Sequence, residues 1–111
     1  MPAPATIEVL AEPTRRQILD ALREGEQPVH ALVAQLAMSQ PAVSKHLRVL
    51  RDAGLVAVRP DGQRRLYRVN AAPLIELDEW LEPYRQMWRA SLDRLEAHLS
   101  PPPSTPRRRP R

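Results

Sequence analysis

The 111-residue chain reads as a mainly α domain carrying one small β-hairpin, in the order α-α-α-α-β-β-α. Three patterns carry that expectation. Four apolar stripes at three- and four-residue spacing precede Gly54, the period of a helix with one buried face. Two runs rich in β-branched and aromatic residues then flank Asp61-Gly62, a strong short-range hairpin signal. Last, Leu77, Leu81, Tyr84, Trp88, Leu92, Leu95 and Leu99 recur every three or four residues, which predicts a long final helix.

Each element has a local cause. Ile7, Val9 and Leu10 suggest a short first helix over roughly 5–11. Glu12-Pro13 ends it, because the residue before proline disfavours the helical region. Pro13 suits the first turn of a second helix, where its missing N–H costs nothing. That helix turns Ile18, Leu19 and Leu22 inward and stops at Gly25. Gln27-Pro28-Val29 is a short extended link, and a third helix over about 30–37 buries Leu32, Val33 and Leu36. Ser39 is an N-cap with Pro41 in the first turn, and Met38 can pack on Val43 as a hydrophobic staple. The fourth helix runs to about Ala53 on a stripe of Val43, Leu47 and Leu50, and Gly54 is placed to end it in a left-handed conformation. Strands are expected at 55–59 and 64–69 around Pro60-Asp61-Gly62-Gln63. Residues 71–99 form the last helix, its stripe widened by Trp80 and Met87, with a kink or restart expected near Glu82 because Pro83 lies inside it.

Residues 1–5 are expected to be a flexible end, 6–99 one domain, and 100–111, PPPSTPRRRPR, a disordered tail without an apolar anchor. There is no cysteine, which excludes disulfides, thiolate metal sites and cysteine catalysis and is compatible with a cytoplasmic location. No run of 18 apolar residues exists, so no membrane association is expected. No secretory signal is expected either, since the first residues lack a basic start followed by an apolar stretch. Paired catalytic carboxylates in a pocket-like context and a phosphate-binding glycine loop are both missing, which argues against an enzyme.

The formal charge is +4, and its placement matters more than its size. Four arginines, Arg107, Arg108, Arg109 and Arg111, sit in the tail; the rest of the chain is neutral. Within that neutral body, residues 39–68 carry Lys45, Arg48, Arg51, Arg59, Arg64, Arg65 and Arg68 against only Asp52 and Asp61. Such one-sided charge suits a polyanion-binding face. On a wheel of the fourth helix, Gln40, Ser44, Lys45 and Arg48 fall opposite the apolar stripe, with Arg51 one turn on. Amide, hydroxyl and basic groups are the side chains that read base edges in the major groove. Gln40, Ser44, Lys45 and Arg48 are therefore expected to contact double-stranded DNA at or near the bases. Pro41 can add a thymine-methyl contact, and the backbone N–H groups of Ser39 and Gln40 can hold a phosphate. Helix, three-residue turn, helix and hairpin together describe a winged helix-turn-helix. Arg59, Gln63, Arg64 and Arg65 edge the hairpin, where arginine can straddle the backbone or enter a narrow minor groove. Tyr67 and Val69 share one strand face and read as core. A winged-helix protein–protein interaction module is the alternative.

Ser39-Gln40-Pro41-Ala42-Val43-Ser44-Lys45-His46-Leu47-Arg48-Val49-Leu50-Arg51-Asp52-Ala53-Gly54-Leu55-Val56 resembles the signature of the ArsR family of winged-helix repressors. Glu12-Pro13-Thr14-Arg15-Arg16-Gln17-Ile18-Leu19 resembles the start of that family's second helix, and Gly62-Gln63-Arg64-Arg65-Leu66-Tyr67-Arg68 its wing. The likeness covers roughly 6–99. It implies a sequence-specific transcriptional regulator, acting as a repressor, and a homodimer built from the first and last helices. The dimer surface then takes in Ile7, Leu10, Trp80, Leu81, Tyr84, Trp88, Leu92, Leu95 and Leu99, an apolar set larger than so small a core needs. A pocket for an apolar ligand among Trp80, Tyr84, Met87 and Trp88 is the rival use of those aromatics. Release by an inducer is implied, but its identity is not. Two departures stand out. Relatives commonly have glycine where Ala37 stands. The cysteine positions of thiolate-type members fall on Pro28 and His30, and only Asp78 and His98 remain of the zinc set, so neither a metal nor any other cofactor is expected. His30, His46 and His98 read as structural or surface residues, with His46 packing or hydrogen-bonding near the helix junction.

Overall fold

A computed structural model describes residues 3–99. Its elements are α1 (Ala3–Leu10), α2 (Pro13–Leu22), β1 (Gln27–Pro28), α3 (Val29–Leu36), α4 (Gln40–Asp52), β2 (Val56–Asp61), β3 (Arg64–Val69) and α5 (Ala72–Leu99). The architecture is mainly helical with a small antiparallel hairpin. The disorder expected of residues 100–111 lies outside the described residues, as do Met1 and Pro2 of the expected flexible end. α1 begins at Ala3, inside that end; Pro4 is tolerated there because the first turn has no use for its N–H.

The chain divides into two units, residues 1–80 and 81–111. The core of the first is built from the stripes the sequence shows: Ile18 and Leu22 of α2, Leu32 of α3, and Val43, Leu47 and Leu50 of α4, joined by Leu55 and Val56. All are at most 3% exposed. Tyr67 and Val69 pack against this core from β3, and Met38 from the turn before α4.

Local chemistry sets the ends. The Glu12 carboxylate accepts from the Thr14 N–H at 2.7 Å and caps α2. Ser39 is extended (φ −69°, ψ 153°), and its hydroxyl accepts from the Ala42 N–H at 3.2 Å. At the other end of α4, Gly54 takes φ 78°. There the Gly54 N–H donates to Arg51 O and the Leu55 N–H to Leu50 O, each at 2.9 Å, the paired closure of a Schellman motif. Both Leu50 and Leu55 are fully buried, so the cap also turns the chain back into the core.

The sheet differs from expectation in its strand count and in the extent of β2, which reaches through Pro60 to Asp61. Gln27-Pro28, read as an extended link, is a short edge strand, and the sheet has three strands in the order β1-β3-β2. Gln27 pairs with Tyr67 and Pro28 with Leu66. Proline fits this edge because it has no N–H for a ladder on a second side. β2 runs to Asp61, which pairs with Arg64, so Gly62 and Gln63 form a two-residue turn. Gly62 supplies the positive φ of 63° at its first position, where glycine carries no steric cost.

α5 continues through Pro83 as one helix, so the restart expected near Glu82 does not occur. Proline removes one helical hydrogen bond, and pairs one turn apart hold the same stretch: Glu82 accepts from Arg85 Nε at 3.0 Å and from Gln86 Nε2 at 3.2 Å. At the start of α5, the Asn70 side chain accepts from the Ala72 N–H at 3.4 Å and donates to Gly54 O at 2.8 Å. In the second unit, Tyr84, Met87, Trp88, Leu92, Leu95 and Leu99 are all exposed. No helix among the described residues is long and apolar enough to cross a membrane.

Candidate nucleic-acid interface

The amphipathic pattern of α4 dictates its orientation. With Val43, Leu47 and Leu50 anchored at 1% exposure or less, the opposite face must meet solvent. Gln40, Pro41, Ser44, Lys45, Arg48 and Arg51 are all exposed, as is the capping Ser39. The hairpin residues Arg59, Gln63, Arg64 and Arg65 are exposed as well.

Two concavities bring α4 and the hairpin together. One of about 290 Å³ is lined by Gln40 from the first turn of α4, by Gln63, Arg64, Arg65 and Tyr67 from the hairpin, and by Pro28, Val29 and His30. The other, of about 260 Å³, is lined by Ser44, Leu47, Arg48, Arg51 and Asp52 from α4 with Arg65 and Tyr67. Arg65 and Tyr67 border both. Tyr67 pairs with Val58 on one side and Gln27 on the other, so the central strand carries its ring to the boundary. Ser39, Pro41 and Lys45 lie on the exposed surface of α4 and its cap but line neither cleft, and Arg59 lines neither.

The hairpin arginines are not equivalent. Arg59 grips Glu26 through both of its carboxylate oxygens, with hydrogen bonds of 2.9–3.1 Å, and Arg68 stands 4.0 Å from the same carboxylate. The hydrogen bonds from Arg59 hold the Glu26 carboxyl below its ordinary range, and Glu26 in turn raises Arg59. Arg64 donates to Asp61 at 2.8 Å and lowers that carboxyl likewise. Among the described residues, Arg65, Lys45, Arg48 and Arg51 have no carboxylate partner. Of the cations on α4 and the hairpin, those left for an external anion are thus Lys45, Arg48 and Arg51 on α4 and Arg65 at the cleft boundary.

Behind this face, Arg15 of α2 donates through Nε to His46 Nδ1 of α4 at 3.4 Å and through Nη1 to Val9 O at the end of α1 at 3.2 Å. His46 therefore hydrogen-bonds at a helix junction, as expected. Among the contributors to the clefts that sequence reasoning missed are His30 and Tyr67. His30 comes to the interface through β1, a two-residue strand with too short a pattern to read. Tyr67 was assigned to the core alone, although its alternation with Arg65 placed both on one strand face. Among the described residues, no group of three or more His, Asp or Glu could hold a metal ion.

The family model for bacterial regulatory proteins of the arsR family matches residues 12–58. The HTH-type transcriptional regulator Rv2034 of Mycobacterium tuberculosis is 44% identical over 70 residues, covering 63% of this chain and 65% of that protein. The chain thus spans under two thirds of that relative's length. The arsenic resistance transcriptional regulator ArsR1 of Pseudomonas putida is 36% identical over 99 residues, 88% of this chain and 72% of that protein. The chain belongs to the arsR family. A solved structure described as a possible transcriptional regulator for arsenical resistance superposes on this ArsR-family chain with a TM-score of 0.64. It is 44% identical and covers 85% of this chain and 95% of its own. The matched segment 12–58 holds α2 to α4 and the first residues of β2, so the family's signature includes the α4 face of both clefts.

Proposed function

We propose that this ArsR-family protein is a sequence-specific transcriptional repressor that binds duplex DNA in the cytoplasm as a homodimer. The observation that carries the proposal is the joint lining of two clefts by α4 and the hairpin. Gln40 meets Gln63, Arg64 and Arg65 in one, and Ser44 and Arg48 meet Arg65 in the other. α4 inserts into the major groove, with Gln40, Ser44, Lys45 and Arg48 toward base edges. Ser39 and Pro41 lie at its entering end, and Gln63, Arg64 and Arg65 follow the backbone as a wing. Arg59 is held by Glu26 and contributes mainly by positioning the wing. The exposed apolar stripe of α5, with Ile7 and Leu10 of α1 and the neighbouring Leu81, is covered by a second copy. Two recognition helices then address successive major grooves about 34 Å apart on an imperfect palindrome, and occupancy of a promoter represses transcription.

The test is fluorescence anisotropy with duplexes spanning the region upstream of the gene. Lys45→Glu combined with Arg48→Glu is expected to abolish sequence-preferring binding while leaving the circular dichroism spectrum unchanged. Retention of full preference by the double variant would refute the assignment of α4.

A further inference from the structure

A third concavity, of about 730 Å³, lies within the first unit and shares no residue with the two clefts. It is formed by α1, α2, the turn after α2, the end of β3 and the start of α5. Its apolar lining comes from Leu10, Leu19, Leu22, Val69 and Leu74. Three guanidiniums, of Arg16, Arg23 and Arg68, and two carboxylates, of Asp20 and Glu26, complete it. Arg16 is engaged, donating to Leu10 O at 2.6 Å and to Ala11 O at 3.2 Å. Glu26 is neutralised by Arg59, which lies outside the cavity lining. Arg68 is only loosely paired, 4.0 Å from Glu26, and the Arg23 side chain has no hydrogen bond or ion pair among the described residues. Positive charge therefore exceeds negative, with Asp20 as the one carboxylate that no arginine engages.

We propose that this cavity binds a small amphipathic carboxylate, its apolar body over Leu19, Leu22 and Leu74 and its anionic head bonded by Arg23 and Arg68. The volume lies within the roughly 300–1,000 Å³ usual for small-molecule sites, and guanidinium–carboxylate pairing supplies the orientation. A second copy is the rival occupant, which the sedimentation arm of the test separates from a small ligand. The site also has a route to the wing. Arg68 lies on β3 and shares Glu26 with Arg59 of β2, so a carboxylate on Arg68 adds negative charge at the base of the hairpin. That coupling rests on the DNA-binding proposal; ligand binding itself does not.

The experiment is calorimetric titration of the full chain, without DNA, using 1-naphthylacetate and its neutral counterpart 2-(1-naphthyl)ethanol. The acid is expected to saturate one site per chain and the alcohol, which makes no charge-assisted contact to Arg23 or Arg68, to bind at least about tenfold more weakly. Arg23→Gln, at an exposed side chain, is expected to reduce that discrimination, and Leu19→Trp to intrude into the cavity and weaken binding. The proposal is overturned by no saturation below about 1 mM, by equal binding of acid and alcohol, or by a folded Leu19→Trp variant that binds undiminished. Dissociation of a dimer by Leu19→Trp in sedimentation also overturns it, in favour of a second copy. If Leu19→Trp does not fold, the Arg23→Gln titration decides. In parallel, the acid is expected to weaken DNA binding of the unaltered protein severalfold and not that of Arg23→Gln. An acid that binds without changing DNA affinity overturns the coupling alone. Absence of any DNA binding defeats the proposed function and leaves the calorimetric result standing.

Discussion

Ala37 is the one non-glycine residue with positive φ among the described residues, at φ 54° and ψ 43°. It closes α3 through a 3.0 Å hydrogen bond from its N–H to Val33 O. An L side chain in this conformation costs about 1 kcal/mol or more, and glycine removes that cost while adding unfolded-state entropy. Ala37→Gly is expected to stabilise the fold by roughly 0.5–1 kcal/mol, measured by urea denaturation; a lower midpoint would show that the turn is not strained. The hairpin arginines offer a second comparison. Arg59 already bonds Glu26, whereas Arg65 has no carboxylate partner among the described residues. In anisotropy titrations Arg65→Ala is expected to lose more DNA affinity than Arg59→Ala. The opposite ranking would mean that Arg59 leaves Glu26 for the duplex.

The hairpin and α2 are both fastened by carboxylates. Hydrogen bonds from Arg59 lower Glu26, those from Arg64 lower Asp61, and the Thr14 backbone N–H lowers Glu12 at the cap of α2. A carboxyl lowered by folding stabilises the folded state above its unfolded pKa, and that contribution disappears as pH falls through the folded value. For the two glutamates the loss begins below their ordinary 4.5, and for Asp61 below 3.8. The melting temperature is therefore expected to be flat near neutrality and to fall below about pH 4.5. Glu26→Gln is expected to make that fall shallower; an unchanged acid limb would show that the Glu26–Arg59 pair adds nothing in solution. In α5, Met87, Trp88, Leu92, Leu95 and Leu99 leave an apolar stripe exposed.

Assembly and the electrostatic field act across the full chain. Trp88, Leu92, Leu95 and Leu99 are 44–70% exposed in a single copy. Leu92→Glu is expected to shift sedimentation from dimer to monomer and to weaken DNA binding sharply, because two linked half-sites would become independent. A dimer that survives the change would place the interface elsewhere. DNA affinity is also expected to fall linearly with the logarithm of salt, in proportion to the phosphates neutralised. Arg48→Ala is expected to cost about 1–3 kcal/mol on the preferred sequence and less on others; equal losses on all sequences would reduce Arg48 to a phosphate contact.

Periodicity, caps and turn residues are local properties, so the sequence alone determined the helices, the hairpin, the outward face of α4 and the Ser39 and Gly54 caps around it. The signature from Ser39 to Val56 likewise placed the chain in its family. Long-range packing lies beyond any local window. It decided that Gln27-Pro28 becomes an edge strand, that Glu26 thereby meets Arg59, and that Tyr67 stands between two clefts instead of only inside the core. A pairing across 33 residues depends on where strands settle, and strand register follows from burying Val56, Tyr67 and Val69 together rather than from the pattern of any one segment.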